Sequence, residues 1–276
     1  MASQVPVDSA ALMETSYEDG AAEILDDLCF RRTMIANVLF CGQKADTRSP
    51  WVLIDAGVMG SAEVIAATAE KRFGDLRPEA IVLTHGHFDH VGALRPLAER
   101  WMVSIYAHEL ELPYLNGTKS YPPPDPTVGG GLMAAMSVLY PRGPIDVSEW
   151  LKPLPADGRV PGMPGWQWIH TPGHTPGHVS LWRESDRTLI AGDAFITTKQ
   201  ESAFAVLMQT TELHGPPMYY TSDWPAAKRS VQKLAALEPQ LVITGHGLPL
   251  SGDAMRQALH ALADNFDQVA VPKNKT

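Results

Sequence analysis

Hydrophobic and polar positions recur along this chain in short bursts, and each burst predicts an element. MIANVLFCG (34–42) and WVLIDAG (51–57) read as strands separated by a polar turn rich in Gly, Asp, Ser and Pro. SAEVIAATAEKRFG (61–74) has helical spacing, with Ser61 as N-cap, Glu63 in the first turn and Gly74 as the stop. AIVLT (80–84) predicts a strand, VGALRPLAERW (91–101) a helix and VSIYAH (103–108) a further strand. Short alternating runs resume with WQWIH (166–170), HVSLWR (178–183) and TLIAGD (188–193). An amphipathic helix over PAAKRSVQKLAALEP, a strand over LVITG (241–245) and a last helix over SGDAMRQALHALADNFD complete the pattern. Strands and helices thus alternate in two successive sets with no fixed-period repeat, which predicts an α/β fold of sheets covered by helices on the outside.

Two stretches break this rhythm. From about 112 to 164 the chain runs through PYLNGTKSYPPPDPTVGGG and LMAAMSVLYPRGP, and a second irregular segment occupies about 195–224. Long Pro/Gly-rich insertions of this kind are lids over a site or loops packed on the surface. Residues 1–20 are polar and unpatterned and predict a flexible arm, leaving 21–276 as a single domain. The apolar pieces GLMAAMSVLY and SAFAVLM suit a hydrophobic acyl group, a homodimer interface or ordinary burial.

Composition narrows the function classes. With 276 residues, 45% of them hydrophobic, the chain can bury a substantial core. The first twenty residues lack the basic start and apolar core of a secretory signal, and no later window has the length of a membrane span, so a cytoplasmic protein is expected. Cys29 and Cys41 match neither a disulfide framework nor a paired zinc motif and read as buried thiols in or beside strands. The formal charge of −9 offers no footprint for phosphates, so nucleic-acid partners are disfavoured and a small-molecule substrate is expected.

The chemistry concentrates in four sequence-distant pieces, each at the end of a predicted strand: THGHFDH (84–90), HTPGHTPGH (170–178), the aspartate of AGD (191–193) and the histidine of GHG (245–247). Strand ends are where α/β folds build their sites. Nitrogen and oxygen donors at this density match zinc chemistry. In an extended segment residues i and i+2 project to one side, so His85 and His87 can grip one ion. A turn through Gly86 and Phe88 lets Asp89 and His90 face a second, and the later pieces complete both sets.

HGHFDH, PGHTPGH, AGDA and TGHG, in that order over roughly residues 34–250, resemble the motifs of the metallo-β-lactamase superfamily. The resemblance implies a four-layered αββα sandwich holding two zinc ions per chain, with iron, manganese or cobalt as other divalent occupants. It places His85, His87 and His174 on the first metal, Asp89, His90 and His246 on the second, and Asp193 between them. Asp55 of LIDAG supports the site from behind, and His178 takes a structural hydrogen-bonding role. His108, His214 and His260 read as surface or packing residues.

Two divalent ions about 3.5–4 Å apart can share a hydroxide formed from an acidified water. Two Zn²⁺ contribute +4 and Asp89, Asp193 and one hydroxide remove three, leaving a net positive centre for a carbonyl or an anion. A dinuclear zinc hydrolase follows, attacking an ester, lactone or thioester of a small, partly hydrophobic substrate with a metal-bridging hydroxide, while Asp193, assisted by Asp89, moves the proton. The pattern is nearest to lactonase and glyoxalase II-like members. The exported β-lactamases carry Cys or Ser where this chain has Asp193. Glyoxalase II has a longer helical extension after its last metal histidine. The lactonases carry a catalytic tyrosine where this chain has Ile196, a role open here to Tyr219 or Tyr220. Phe195 and Lys199 complete the candidate substrate contacts. The alternative outside the hydrolases is a mononuclear iron oxygenase of the persulfide dioxygenase type, which shares almost the same ligands; β-lactamase and phosphodiesterase activities are weaker alternatives.

Overall fold

Strand pairing absorbs most of the apolar bursts. The computed structural model describes residues 5–13, 17–44, 49–202, 204 and 211–273. The chain divides into two units, one comprising Glu14–Tyr121 and Arg142–Gln167, the other Met1–Met13, Pro122–Pro141 and Trp168–Thr276. Each unit has its own sheet and its own hydrophobic cluster.

The first, eight-strand unit begins with β2 (Tyr17–Glu18), β3 (Ala21–Leu25), β4 (Leu28–Thr33), β5 (Ala36–Cys41) and β6 (Val52–Ile54), successive antiparallel neighbours. From β6 onward the pairing is parallel, through β7 (Ala80–Val82), β8 (Ser104–Ala107) and β9 (Leu151–Pro153). Parallel neighbours need crossovers. These are α1 (Ala62–Phe73) between β6 and β7, then α2 (Phe88–Val91) and α3 (Leu94–Trp101) between β7 and β8. Trp51 is fully buried, stacked on Phe73 of α1 with centroids 4.4 Å apart and edge-on to Trp101 of α3 at 5.6 Å. Its indole N–H donates to the Leu76 carbonyl at 2.9 Å, so the apolar ring is buried without stranding its one polar group.

The second, five-strand unit orders β10 (Trp166–His170), β11 (Val179–Arg183), β12 (Thr188–Gly192), β14 (Leu241–Thr244) and β15 (Leu250–Ser251) in one sheet. β12 and β14 are parallel and are bridged by the helix Trp224–Ala235, whose N-terminus Asp223 caps by accepting the Ala226 N–H at 2.9 Å. The helix Gly252–Asp264 buries Met255, Leu259 and Leu262 in the same core. A separate two-stranded pair joins β1 (Val5–Pro6) to β13 (Glu212–Leu213).

The flexible arm expected over 1–20 is therefore structured where it is described. β1 is paired, Ala11 is fully buried and Val5 and Val7 pack on the core, which is enough apolar contact to order a segment that looks polar by composition. Residues 1–4 and 14–16 of that arm lie outside the described residues. The lid expected over 112–164 divides: α4 (Leu112–Leu115) and β9 belong to the eight-strand unit, while residues 122–141 form a strap of the five-strand unit carrying α5 (Leu132–Met136). Ala134 anchors this strap in the core, and Leu132, Met136, Val138 and Leu139 are exposed. Most of SAFAVLM, at 203 and 205–208, lies outside the described residues. Among the described residues no helix is long and apolar enough to cross a membrane.

Cys29 in β4 and Cys41 in β5 are both buried thiols, as their surroundings in the sequence suggest. Burial, reinforced by the nearby Glu23 carboxylate, pushes the Cys29 thiol from 9.0 up to about 11. Because the thiolate is the reactive form, native Cys29 at pH 8 should alkylate about 100-fold more slowly than in the unfolded chain. The difference should narrow as the pH rises from 9 toward 11. Mass-spectrometric alkylation kinetics across that range provide the measurement.

Candidate metal centre

Asp55 and the His85–His90 segment in one unit, and Asp193 and His246 in the other, leave from the carboxyl ends of adjacent parallel strands. β6 and β7 pair Ile54 with Val82, which brings Asp55 beside Thr84 and His85. β12 and β14 pair Gly192 with Thr244, and the Gly245 N–H donates to the Gly192 carbonyl at 2.8 Å, so Asp193 and His246 start from the same level of their sheet. This is the position at which parallel sheets place their ligands.

In the eight-strand unit His85, His87, Asp89 and His90 are all buried. The turn expected at Phe88 is a short helix, α2, which follows His87 as its N-cap and carries Asp89 and His90 in its single turn. Donor atoms of His85 and His87, of His85 and His90, and of Asp89 and His90 lie within 4.8 Å of each other. Their orientation follows from one carboxylate. Asp55 accepts the Thr84 N–H through Oδ1 at 2.8 Å, and through Oδ2 the Thr84 hydroxyl and His90 Nδ1, both at 2.8 Å. Since Thr84 spends its only hydroxyl proton on Asp55, its oxygen accepts from His85 Nδ1 at 3.1 Å. Both imidazoles then carry the proton on Nδ1, so Nε2 is the nitrogen through which either could ligate a metal. Asp55 itself adopts φ 60°, a left-handed conformation that a short polar residue tolerates.

In the five-strand unit His174, Asp193 and His246 come together. Asp193 Oδ2 lies 3.0 Å from His246 Nε2 and 3.5 Å from His174 Nε2. Either separation is short enough for Asp193 and that imidazole to share an ion with bonds of about 2.0–2.2 Å. Thr221 donates its hydroxyl proton to the Pro217 carbonyl at 2.7 Å, so it accepts from His174 Nδ1 at 3.0 Å and again leaves Nε2 to ligate. The loop that presents His174 passes against the helix Trp224–Ala235, and a Cβ on Gly173, whose φ is 135°, would stand 2.3 Å from the Ala227 nitrogen. The glycine before the ligand is therefore required by backbone approach.

His178 acts on the backbone rather than on an ion. Its Nε2 accepts the Asp193 N–H at 2.8 Å, which puts its proton on Nδ1, directed to the Thr171 hydroxyl at 2.9 Å. Thr171 meets Ser180 at 3.0 Å, and Ser180 donates to the Ala191 carbonyl at 2.9 Å, closing a chain back onto the strand that carries Asp193. The His246 carbonyl is held by the Thr197 N–H at 3.1 Å and the Thr244 hydroxyl at 2.6 Å.

The candidate substrate contacts divide. Phe195 is fully buried in the core of its unit. Tyr219 is also largely buried, edge-on to Tyr140 of the strap at 6.3 Å, with Tyr220 next to it at 5.1 Å. Lys199 is half-buried. His108 and His214 are buried, and His260 is half-buried beside Glu238. Thr84, Thr171 and Thr221 escaped sequence reasoning because a threonine carries no signal of its own; Thr84 alone could have been suspected, from its place directly before the first histidine.

The model of the metallo-β-lactamase superfamily matches residues 44–246, and the chain belongs to that superfamily. It is 49% identical over 236 residues to the probable metallo-hydrolase YflN of Bacillus subtilis (strain 168), covering 85% of this chain and 89% of that protein. Hydroxyacylglutathione hydrolase GloC of Haemophilus influenzae is 28% identical over 155 residues, covering 55% of this chain and 65% of the relative. The crystal structure of TTHA1623 in a di-iron-bound form matches with a TM-score of 0.56 and 26% identity, covering 83% of this chain and 95% of that one. The α/β architecture is that of the superfamily, and the protein is a metal-dependent hydrolase.

Asp55→Asn should separate orientation from folding. Asparagine accepts the left-handed backbone but turns an N–H₂ toward Thr84 or His90, both of which are donors. Zinc affinity measured by chelator competition should fall about 10- to 100-fold, with the far-UV circular dichroism unchanged.

Proposed function

We propose that the protein is a dinuclear zinc hydrolase that cleaves an ester, lactone or thioester bond of a small, partly hydrophobic substrate. In this reading His85, His87 and His174 hold one ion, Asp89, His90 and His246 the other, and Asp193 bridges them. The observation that carries it is the aiming of the imidazoles: His85, His90 and His174 each commit Nδ1 to an oxygen acceptor inside their own unit, which leaves Nε2 for a metal. The donor chemistry fits, since buried imidazole nitrogens with carboxylate oxygens suit zinc and also iron or cobalt.

When bound, such ions acidify water toward neutrality and polarise a carbonyl oxygen. The chain's own residues then have definite tasks. Asp55 and Thr84 fix the rings of His85 and His90, and Thr221 fixes that of His174. Asp193, buried and held at its backbone by His178, has its carboxylate within reach of two imidazoles, so it can receive a proton at Oδ2 and return it to a leaving group. Asp89 supplies the second buried carboxylate. Support for the thioester class is the likeness to hydroxyacylglutathione hydrolase GloC, and the exposed apolar residues of the strap suit an acyl group.

Replacing Asp193 with alanine should lower metal content and reduce turnover by at least about 1,000-fold together, read by metal analysis and by a panel of lactones, aryl esters, thioesters, β-lactams and phosphodiesters. Unchanged turnover would defeat the bridging assignment. One iron per chain, with oxygen consumed on a persulfide, would replace the hydrolytic reading by the oxygenase one.

A further inference from the structure

Two buried side chains behind the His85–Gly86–His87 turn are unused by the metal chemistry above. Glu111 has no exposed surface, and its Oε2 accepts the Gly86 N–H at 3.0 Å and the hydroxyl of Tyr121. The Tyr121 oxygen also receives the Gly86 N–H, at 3.1 Å, so one peptide donor is shared between two acceptors. The Tyr121 ring meets the His87 imidazole edge-on with centroids 4.5 Å apart, and it also stacks near-parallel on Tyr114 at 4.0 Å and 9°. A Cβ on Gly86 would stand 2.6 Å from the Tyr121 hydroxyl, so the spacer in HGH is glycine because this pair approaches it.

Tyr121 is also where the strap departs. Its N–H donates to the Arg142 carbonyl at 2.9 Å, Arg142 Nη1 returns a bond to the Tyr121 carbonyl at 3.3 Å, and Ser120 donates to the Gly143 carbonyl at 3.0 Å. The outgoing and returning ends of residues 122–141 are thus clasped at the residue that lies against His87.

We propose that Glu111 and Tyr121 are positioning residues for the metal-binding imidazole of His87, holding the Gly86 peptide and the ring in register and tying both to the base of the strap. The inference rests on the metal-centre reading above. Glu111 brings a polar carboxyl group into the interior, and its oxygen meets the Gly86 N–H and the Tyr121 hydroxyl rather than filling apolar space.

Two near-isosteric variants of the full chain test this. Tyr121→Phe keeps the ring contact and loses the hydroxyl; Glu111→Gln keeps an oxygen for Gly86 and loses the charge. Each should weaken binding of at least one zinc equivalent by about 10-fold in chelator competition, and Glu111→Ala should weaken it further than Glu111→Gln. In the metal-free chain the nitrogen NMR signals of the His87 ring, assigned with His87→Gln, should shift in Tyr121→Phe while those of His174 stay in place. Wild-type affinity together with unmoved His87 signals in both near-isosteric variants would overturn the proposal. Failure of the wild-type chain to take up zinc would instead defeat the metal reading, and the His87 signals would still decide the positioning role.

Discussion

The carboxylate of Asp55 is the interaction on which the donor cluster of the eight-strand unit depends. A histidine can ligate through either nitrogen, and a buried ring without a committed proton samples both tautomers and several rotamers. Asp55 removes that freedom twice, directly at His90 and through Thr84 at His85, while its own charge is satisfied by three donors inside 2.8 Å. The five-strand unit reaches the same end differently: a threonine orients His174, and a histidine chain holds the Asp193 backbone. Neither unit relies on a flexible side chain for its geometry.

Register comes next in importance. A strand slipped by one residue turns every side chain to the opposite face. The pairings Ile54 with Val82 and Gly192 with Thr244 therefore place Asp55 beside Thr84, and Asp193 beside His246, as directly as any side-chain contact. The short, fully buried strands β7 and β14 are held in that register by unbroken apolar sequences with helices as crossovers.

What was legible in the sequence was whatever carries a local signature. The helix from Ser61 to Gly74, the parallel strands and the histidine clusters all show periodicity or dense donor chemistry over a few residues, and the structure reproduces those elements closely. The β3–β4 hairpin was missed because LCFRRT does not alternate cleanly. The paired N-terminal strand was missed because its partner is some two hundred residues away, at Glu212–Leu213. Tyr121 and Glu111 were invisible for the same reason: one sits before a proline run and the other inside an unremarkable HELELP, and only tertiary packing brings them to Gly86.

The clasp between Tyr121 and Arg142 bears on how such a protein can diversify. The entropy of closing a loop is met at its base, and it then grows only slowly with the number of residues enclosed. Twenty residues of strap can therefore be exchanged, lengthened or recomposed without loosening the sheet from which they spring. Variation in that segment would leave the machinery that holds the donors of the eight-strand unit intact, so sequence change could accumulate there at little cost in stability.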